Sequence, residues 1–369
     1  MRIGIDARMY KKGGTGISRY IKELVDAVVK LDKENTYILF LSPEMYKEYK
    51  CTDNVEKVCV DAKYYSLKEQ LFFWKTLYNA KLDLMHFTHF NSPLLYFGKS
   101  IVTIHDITLS KFPGQKMNTL IHKIAYAITI KSIIYKAKHI ITVSDHTKKD
   151  VMEMFAKKEN KFTTTYLGVD SFKPINEKTK EDCKKKFNIT KPCLLYVGVW
   201  RNHKNMLNLL KAFNKLKDNG LDIQLLMTGK ESPFYPEIRN EIERSKYKKD
   251  IITPGFVSEE DLHNLYASVN LLVNPSFYEG FGIPPLEAMA SNTVAAISNV
   301  TSHPEVCGDA ALYFDPNSIE DMVNTIKKGL TNKDLIEKMK KKGLEHAKKF
   351  RWEKTAKQTL EVYKKLLIK

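Results

Sequence analysis

No run in this chain approaches the 18 or more apolar residues needed to cross a bilayer, so no transmembrane helix is expected. The N-terminal MRIGIDAR lacks the apolar block of a signal peptide and alternates its apolar residues around Arg2 and Asp6, which reads as a first β-strand. Cysteine is scarce: Cys51, Cys59, Cys183, Cys193 and Cys307 form no CxxC pair, and no His stands at zinc-finger spacing. That excludes a disulfide framework or a zinc module and fits a reducing, cytoplasmic compartment. Acidic residues are also under-represented, 43 against 60 basic ones, for a net charge of +17. Such an excess attracts something anionic: nucleic acid, a phosphorylated substrate or the cytoplasmic face of a membrane. No helix-turn-helix or RNA-recognition signature accompanies it, so no nucleic acid is expected.

What is present is a chain of 369 residues, enough for two α/β domains, with 43% hydrophobic content. Short β-branched strands alternate with helical patterns: IGIDA, TYILFLS, LDLMHF, IVTIHD, HIITVS and TTTYLGV, then CLLYVG, IQLLMTG, DIITPGFV, VNLLVNPS, TVAAIS and ALYFD. The expected fold is α/β, with two doubly wound parallel sheets in tandem facing across a cleft. The expected boundaries are residues 1–170 for the first domain, 171–190 for a polar linker and 191–352 for the second. A last helix at about 353–369 is expected to return to the first domain.

Ligands of open α/β sheets sit beyond the carboxyl ends of the strands, so the residues there carry the functional reading. After the first strand comes KKGGTGISRY, where Gly14 and Gly16 either let backbone approach an anion at a helix N-terminus or form an ordinary turn. His105 and Asp106 end IVTIHD, and from the dipeptide alone a capped turn is the simpler reading. In YVGVWRNHKN, Arg201 and Lys204 suit a diphosphate, unless the loop is simply solvated.

SFYEGFGIPPLEAM places Glu279 in a loop and Pro284 and Pro285 at the start of a helix, which puts Glu287 in the first helical turn. Glutamate there interacts well with the helix dipole without any ligand; Glu279 has no comparable structural reason. Together with the N–H groups of Phe281, Gly282 and Ile283, the two carboxylates suit a polyhydroxylated ligand such as a sugar or ribose. No His or Asp accompanies them at metal-ligand spacing, and no metal is expected.

This constellation resembles the retaining glycosyltransferases of family 4, of GT-B architecture. The glutamates eight apart in FYEGFGIPPLEAMA match that family's motif, and TVSDHTKKD, YLGVD, YVG…HKN, PGFV and PEVCGDAALYFDP extend the likeness over nearly the whole chain. The resemblance implies that Glu279, Phe281 and Gly282 contact the transferred sugar and that Glu287 holds the nucleotide ribose. It implies further that Arg201 and Lys204 neutralise the donor diphosphate and that the Gly14–Gly16 loop closes over it. His105 would stand near the reacting carbon. His203 occupies the place where many members have Arg before the Lys, so the arginine role falls to Arg201. The implied reaction is hexose transfer, best matched by mannose from GDP-mannose, to a glycan or lipid-linked acceptor in cell-surface polysaccharide synthesis. No cofactor or metal would be required. The alternatives are an epimerase or phosphorylase on the same scaffold and, from the charge, a nucleic-acid-binding protein.

Two stretches of the first half, KYYSLKEQLFFWKTLYNAK and LIHKIAYAITIKSIIYKAK, mix lysine with aromatic and apolar residues. They suit a peripheral contact with anionic membrane. Amphipathic helices more often pack on a core, and the expectation is that both are ordinary helices on the first sheet.

Overall fold

The computed structural model describes residues 1–11, 13–14, 16–114, 119–169 and 174–368. Part of the glycine loop (Lys12, Thr15) and part of the expected linker (170–173) therefore lie outside the described residues. The chain divides into two compact units: Met1–Ile107, Met117–Gly168 and Arg351–Lys369 form the first, Thr108–Lys116 and Val169–Phe350 the second.

The first unit holds seven strands: β1 (Arg2–Asp6), β2 (Thr36–Leu41), β3 (Val55–Cys59), β4 (Leu84–Phe87), β5 (Ser100–Ile104), β6 (His139–Thr142) and β7 (Phe162–Thr164). Their order is β3-β2-β1-β4-β5-β6-β7, with every pair parallel. The second unit holds β8 (Cys193–Val197), β9 (Gln224–Thr228), β10 (Ile251–Gly255), β11 (Leu271–Asn274), β12 (Val294–Ser298) and β13 (Leu312–Phe314). Its order is β10-β9-β8-β11-β12-β13, again all parallel. Both orders reverse direction at their first strand, which makes each sheet doubly wound. The inner strands are largely apolar because helices cover both faces; β5, β9 and β12 are buried at every residue.

Strand β3 carries no sequence signal of a buried strand. It lies at the edge, half exposed, with Glu56 accepting two hydrogen bonds from Arg2 of β1 at 2.8 and 2.9 Å. Charged residues are what an edge tolerates and what hides it from periodicity. The stretch read as a polar linker contains a helix, Glu177–Lys186, capped by Asn176 and burying Cys183. Its single apolar contact position was too little for a periodic pattern to reveal.

The helix Ile17–Leu31 buries Tyr20, Ile21, Leu24, Val25, Val28 and Val29 along one face, and the C-terminal helix Trp352–Leu367 packs against it. Gly168 lets the chain pass close to the start of that C-terminal helix, since a Cβ there would lie 2.2 Å from the backbone nitrogen of Trp352. A buried polar chain ties these helices to the sheet. His86 on β4 meets the Tyr363 hydroxyl at 2.6 Å through Nδ1 and Thr103 on β5 at 2.8 Å through Nε2; Thr103 in turn meets the Tyr20 hydroxyl at 2.9 Å. Burial keeps His86 neutral by pushing its pKa down to about 3, so each of its ring nitrogens needs a neutral partner.

Of the two basic, aromatic-rich segments, the first is helical over Glu69–Phe73 and Trp74–Asn79 and buries Phe73 and Leu77, whereas the second departs from expectation. The helix Leu120–Lys136 buries only Ile130, Ile133 and Ile134, and its N-terminal half stands exposed.

Replacing Tyr363 by Phe leaves one His86 nitrogen unsatisfied. The first unit should lose about 1–2 kcal/mol, read as a melting point lower by roughly 2–8 °C in the full chain. An unchanged melt would mean that the chain of hydroxyls contributes nothing.

Candidate active site

In the second unit, the residues after β8 and after β11 meet. Asn205 sits in a left-handed conformation at the start of the helix Met206–Asp218. Its buried amide donates to the Pro275 carbonyl beyond β11 at 3.0 Å and to the Pro316 carbonyl beyond β13 at 2.8 Å. Phe277 N–H adds a hydrogen bond to the His203 carbonyl at 2.8 Å. These bonds tie three strand ends into one floor. On it Lys204 Nζ reaches Glu279 Oε1 at 2.6 Å, both side chains less than one-fifth exposed.

The Glu279 loop is also held from the strand beyond. Its N–H donates to Thr301 Oγ1 at 3.2 Å, and Ser302 Oγ donates towards the carbonyls of Glu279 and Phe281 at 3.0 and 3.1 Å. Ser276 Oγ lies 2.7 Å from Glu279 Oε1. Burial alone would raise the Glu279 pKa, but Lys204, the nearby His303 and the Ser276 hydroxyl outweigh it and bring it down to about 2. Oε1 is thereby committed, whereas Oε2 has no partner among the described residues.

Gly282 follows with φ +90°, a left-handed conformation at the start of the helix Ile283–Ala290. A Cβ there would lie 2.9 Å from the His303 ring, so glycine is required twice over. The N–H groups of Gly282 and Ile283 have no hydrogen-bond partner among the described residues and sit at the positive end of that helix.

Glu287 corrects the sequence expectation. It is the fifth helical residue, not part of the first turn, and is 3% exposed. It accepts a hydrogen bond from the Tyr266 hydroxyl at 2.6 Å, so dipole stabilisation of an exposed first-turn carboxylate does not explain it. Arg201 is exposed before the short turn Asn202–Lys204, whereas His203 is buried. Burial and the neighbouring Lys204 bring the His203 pKa down to about 3 despite Glu279, so the cation beside Lys204 is Arg201.

The other expected residues lie in the first unit. Gly16 begins the helix Ile17–Leu31 with no side-chain cap and no acidic residue in the first turn. Gly14 packs over Ser18, whose hydroxyl closes the loop on Lys11 N–H at 2.8 Å. His105 follows β5, its Nε2 lying 2.9 Å from the Thr88 carbonyl, which fixes the proton on Nε2 and leaves Nδ1 as the free lone pair. Burial lowers its pKa against the pull of Asp106.

Two groups escaped the sequence reading. Arg8, 3% exposed, pairs with Asp6 at 2.7 Å and Glu69 at 2.6 Å and lies 3.9 Å over the Phe73 ring. His303 is fully buried; its Nδ1 lies 2.9 Å from Ser298 Oγ and 3.2 Å from the Ser298 carbonyl, while Nε2 has no hydrogen-bond partner among the described residues. Ser298 Oγ already donates to the Ser276 carbonyl, so His303 Nδ1 carries the proton. A lone His before PEV offers no pattern to notice; only packing against Gly282 reveals it.

A family model described as glycosyl transferases group 1 matches residues 177–346. O-antigen chain mannosyltransferase B of Escherichia coli is 31% identical over 271 residues, 73% of this chain and 71% of that protein. O-antigen chain mannosyltransferase RfbU of Salmonella typhimurium is 28% identical over 240 residues, 65% and 63% of the respective chains. Among solved structures, sucrose-phosphate synthase from Thermosynechococcus elongatus superposes with a TM-score of 0.80 at 19% identity, over 99% of this chain and 98% of that one. The last likeness shows the fold: two Rossmann-like units of GT-B architecture.

Because the folded-state pKa of Glu279 lies below the ordinary 4.5, its ion pair stabilises the fold at neutral pH and loses that effect as pH falls from 4.5 toward 2. Lys204→Met should therefore cost about 1–3 kcal/mol at pH 7. The melting difference between wild type and Glu279→Gln should shrink across the same acid range. A difference independent of pH would contradict the pairing.

Proposed function

The chain belongs to the group 1 glycosyl transferases, and from that premise we propose that it transfers mannose from GDP-mannose, with retention of configuration, to a glycan or lipid-linked acceptor in surface-polysaccharide synthesis. The mannosyl donor and the polysaccharide setting rest on the two O-antigen mannosyltransferases it resembles. The observation that carries the chemistry is the division of labour at Glu279. One carboxylate oxygen is committed to Lys204 and Ser276, and the other remains open to sugar hydroxyls.

On this reading the bond between the anomeric carbon and the diphosphate oxygen breaks, and its electron pair leaves with the nucleoside diphosphate. Lys204 spends one of its three donors on Glu279 and offers the others to the departing phosphate. Arg201 and the uncapped N-terminus of the helix Ile283–Ala290 add positive potential where negative charge develops, so no metal ion is required. Glu279 holds the hydroxyls of a sugar that is gaining positive charge. The acceptor oxygen bonds to the anomeric carbon on the face the diphosphate leaves, and the acceptor proton passes to that diphosphate. Glu287 binds the ribose. The cysteine pattern supports action in the cytoplasm.

Calorimetry of the full chain against a panel of nucleotide sugars tests the donor. GDP-mannose should bind and raise the melting temperature, and stronger binding of another donor would overturn the mannosyl assignment. With acceptor present, nucleoside diphosphate should be released and the product linkage should keep the donor's anomeric configuration; an inverted linkage would refute retention. Glu279→Gln should lower kcat by about 100-fold or more while the fold persists. If it and Lys204→Met both turned over at the wild-type rate, the site would lie elsewhere.

A further inference from the structure

We propose that the first unit docks on an anionic lipid surface through a face built by residues 65–78, the loop 94–97 and the N-terminal half of the helix Leu120–Lys136. Twelve of the 18 large hydrophobic side chains exposed among the described residues lie between Tyr65 and Tyr135, so exposure is concentrated in one region. Leu120, Ile121, Ile124 and Ile128 are 71%, 78%, 49% and 51% exposed. At helical pitch these positions fall within about 100° of arc, a continuous apolar stripe turned away from the buried Ile130, Ile133 and Ile134.

The three segments are joined. Leu94 N–H donates to Gln70 Oε1 at 2.8 Å, and Phe97 N–H donates to the Tyr78 hydroxyl at 3.0 Å. Lys136 bonds the Leu94 carbonyl and lies 4.2 Å over the Phe97 ring. Leu71 and Phe72 on the helical stretch Glu69–Phe73, and Phe97 on the loop, thus lie on segments tied to the C-terminal end of the isoleucine-bearing helix. The number of large apolar side chains exposed on these joined segments sets them apart from the scattered apolar residues of an ordinary surface.

Charge identifies the occupant. Residues 119–144 contain four lysines and no acidic residue, and residues 84–105 contain Lys99 and no acidic residue. Residues 61–82 hold four lysines and two acids: Asp61, which pairs with Lys68 at 2.6 Å, and Glu69, which is fully buried against Arg8. A second copy of the chain meeting this face about a two-fold axis would bring lysine against lysine, whereas anionic headgroups neutralise them. Exposed leucine, isoleucine and phenylalanine beside lysine is the chemistry of a segment lying in a membrane interface. No helix among the described residues is long and apolar enough to cross the bilayer, so the contact is peripheral.

Flotation of the full chain with vesicles tests this independently of the transfer reaction. The protein should float with vesicles of equal parts phosphatidylcholine and phosphatidylglycerol, and little with phosphatidylcholine alone. High salt should weaken the association. Ile121→Ser with Ile124→Ser should reduce bound protein by about 10-fold or more, and Lys123→Glu with Lys131→Glu should do likewise on the anionic vesicles only. All four side chains are exposed, so circular dichroism and nucleotide-sugar binding should be unchanged in both variants. No flotation on anionic vesicles, or flotation unaffected by the isoleucine changes, would overturn the proposal. So would light scattering that showed a dimer abolished by those changes, because the face would then belong to a second copy.

Discussion

Lys204 and Glu279 are 75 residues apart in the chain and 2.6 Å apart in the fold. Neither holds the other in place by itself. Asn205 spans from the end of β8 to the carbonyls beyond β11 and β13, and the segment from Ser298 to His303 binds the Glu279 loop from the far side. The pair is the product of a parallel sheet whose strands all finish at one edge. A carboxylate of low pKa beside an ammonium with spare donors is followed, three residues on, by two N–H groups without partners among the described residues at a helix start.

The first unit solves a different problem. Its interior carries Arg8, Glu69, His86 and Thr103, and each is matched rather than exposed. Arg8 is satisfied by two carboxylates, Asp6 and Glu69, and His86 by two neutral hydroxyls, so charge meets charge and neutral meets neutral. The same networks anchor the elements that carry the proposed functional residues of this unit. Tyr20 connects the helix of the glycine loop to β5, which ends at His105, and Glu69 fixes the helix that bears Leu71 and Phe72.

The strands were legible because parallel strands buried on both faces are short apolar runs separated by turn residues, a pattern that survives in one dimension. Edge strand β3 and the helix Glu177–Lys186 were not, since exposure on most positions removes the pattern. Glu279 stood out because a loop carboxylate just ahead of Gly280 and Gly282 has no helical or strand pattern to account for it. Glu287 was misplaced within its helix because Pro284 and Pro285 fix where a helix begins only to within a residue or two.

By itself, then, the sequence determined two doubly wound sheets, where their strands end, and the residue types gathered there, because those depend on local pattern and short spacing. Tertiary structure alone decided that Lys204 pairs with Glu279 and that His203 is buried and uncharged while Arg201 is exposed. It also decided that His303 backs Gly282, and that Leu120, Ile121, Ile124 and Ile128 stand exposed on an apolar helix. Each of these rests on segments remote in sequence being brought within a few ångströms, and no periodicity along a chain records what will lie against it.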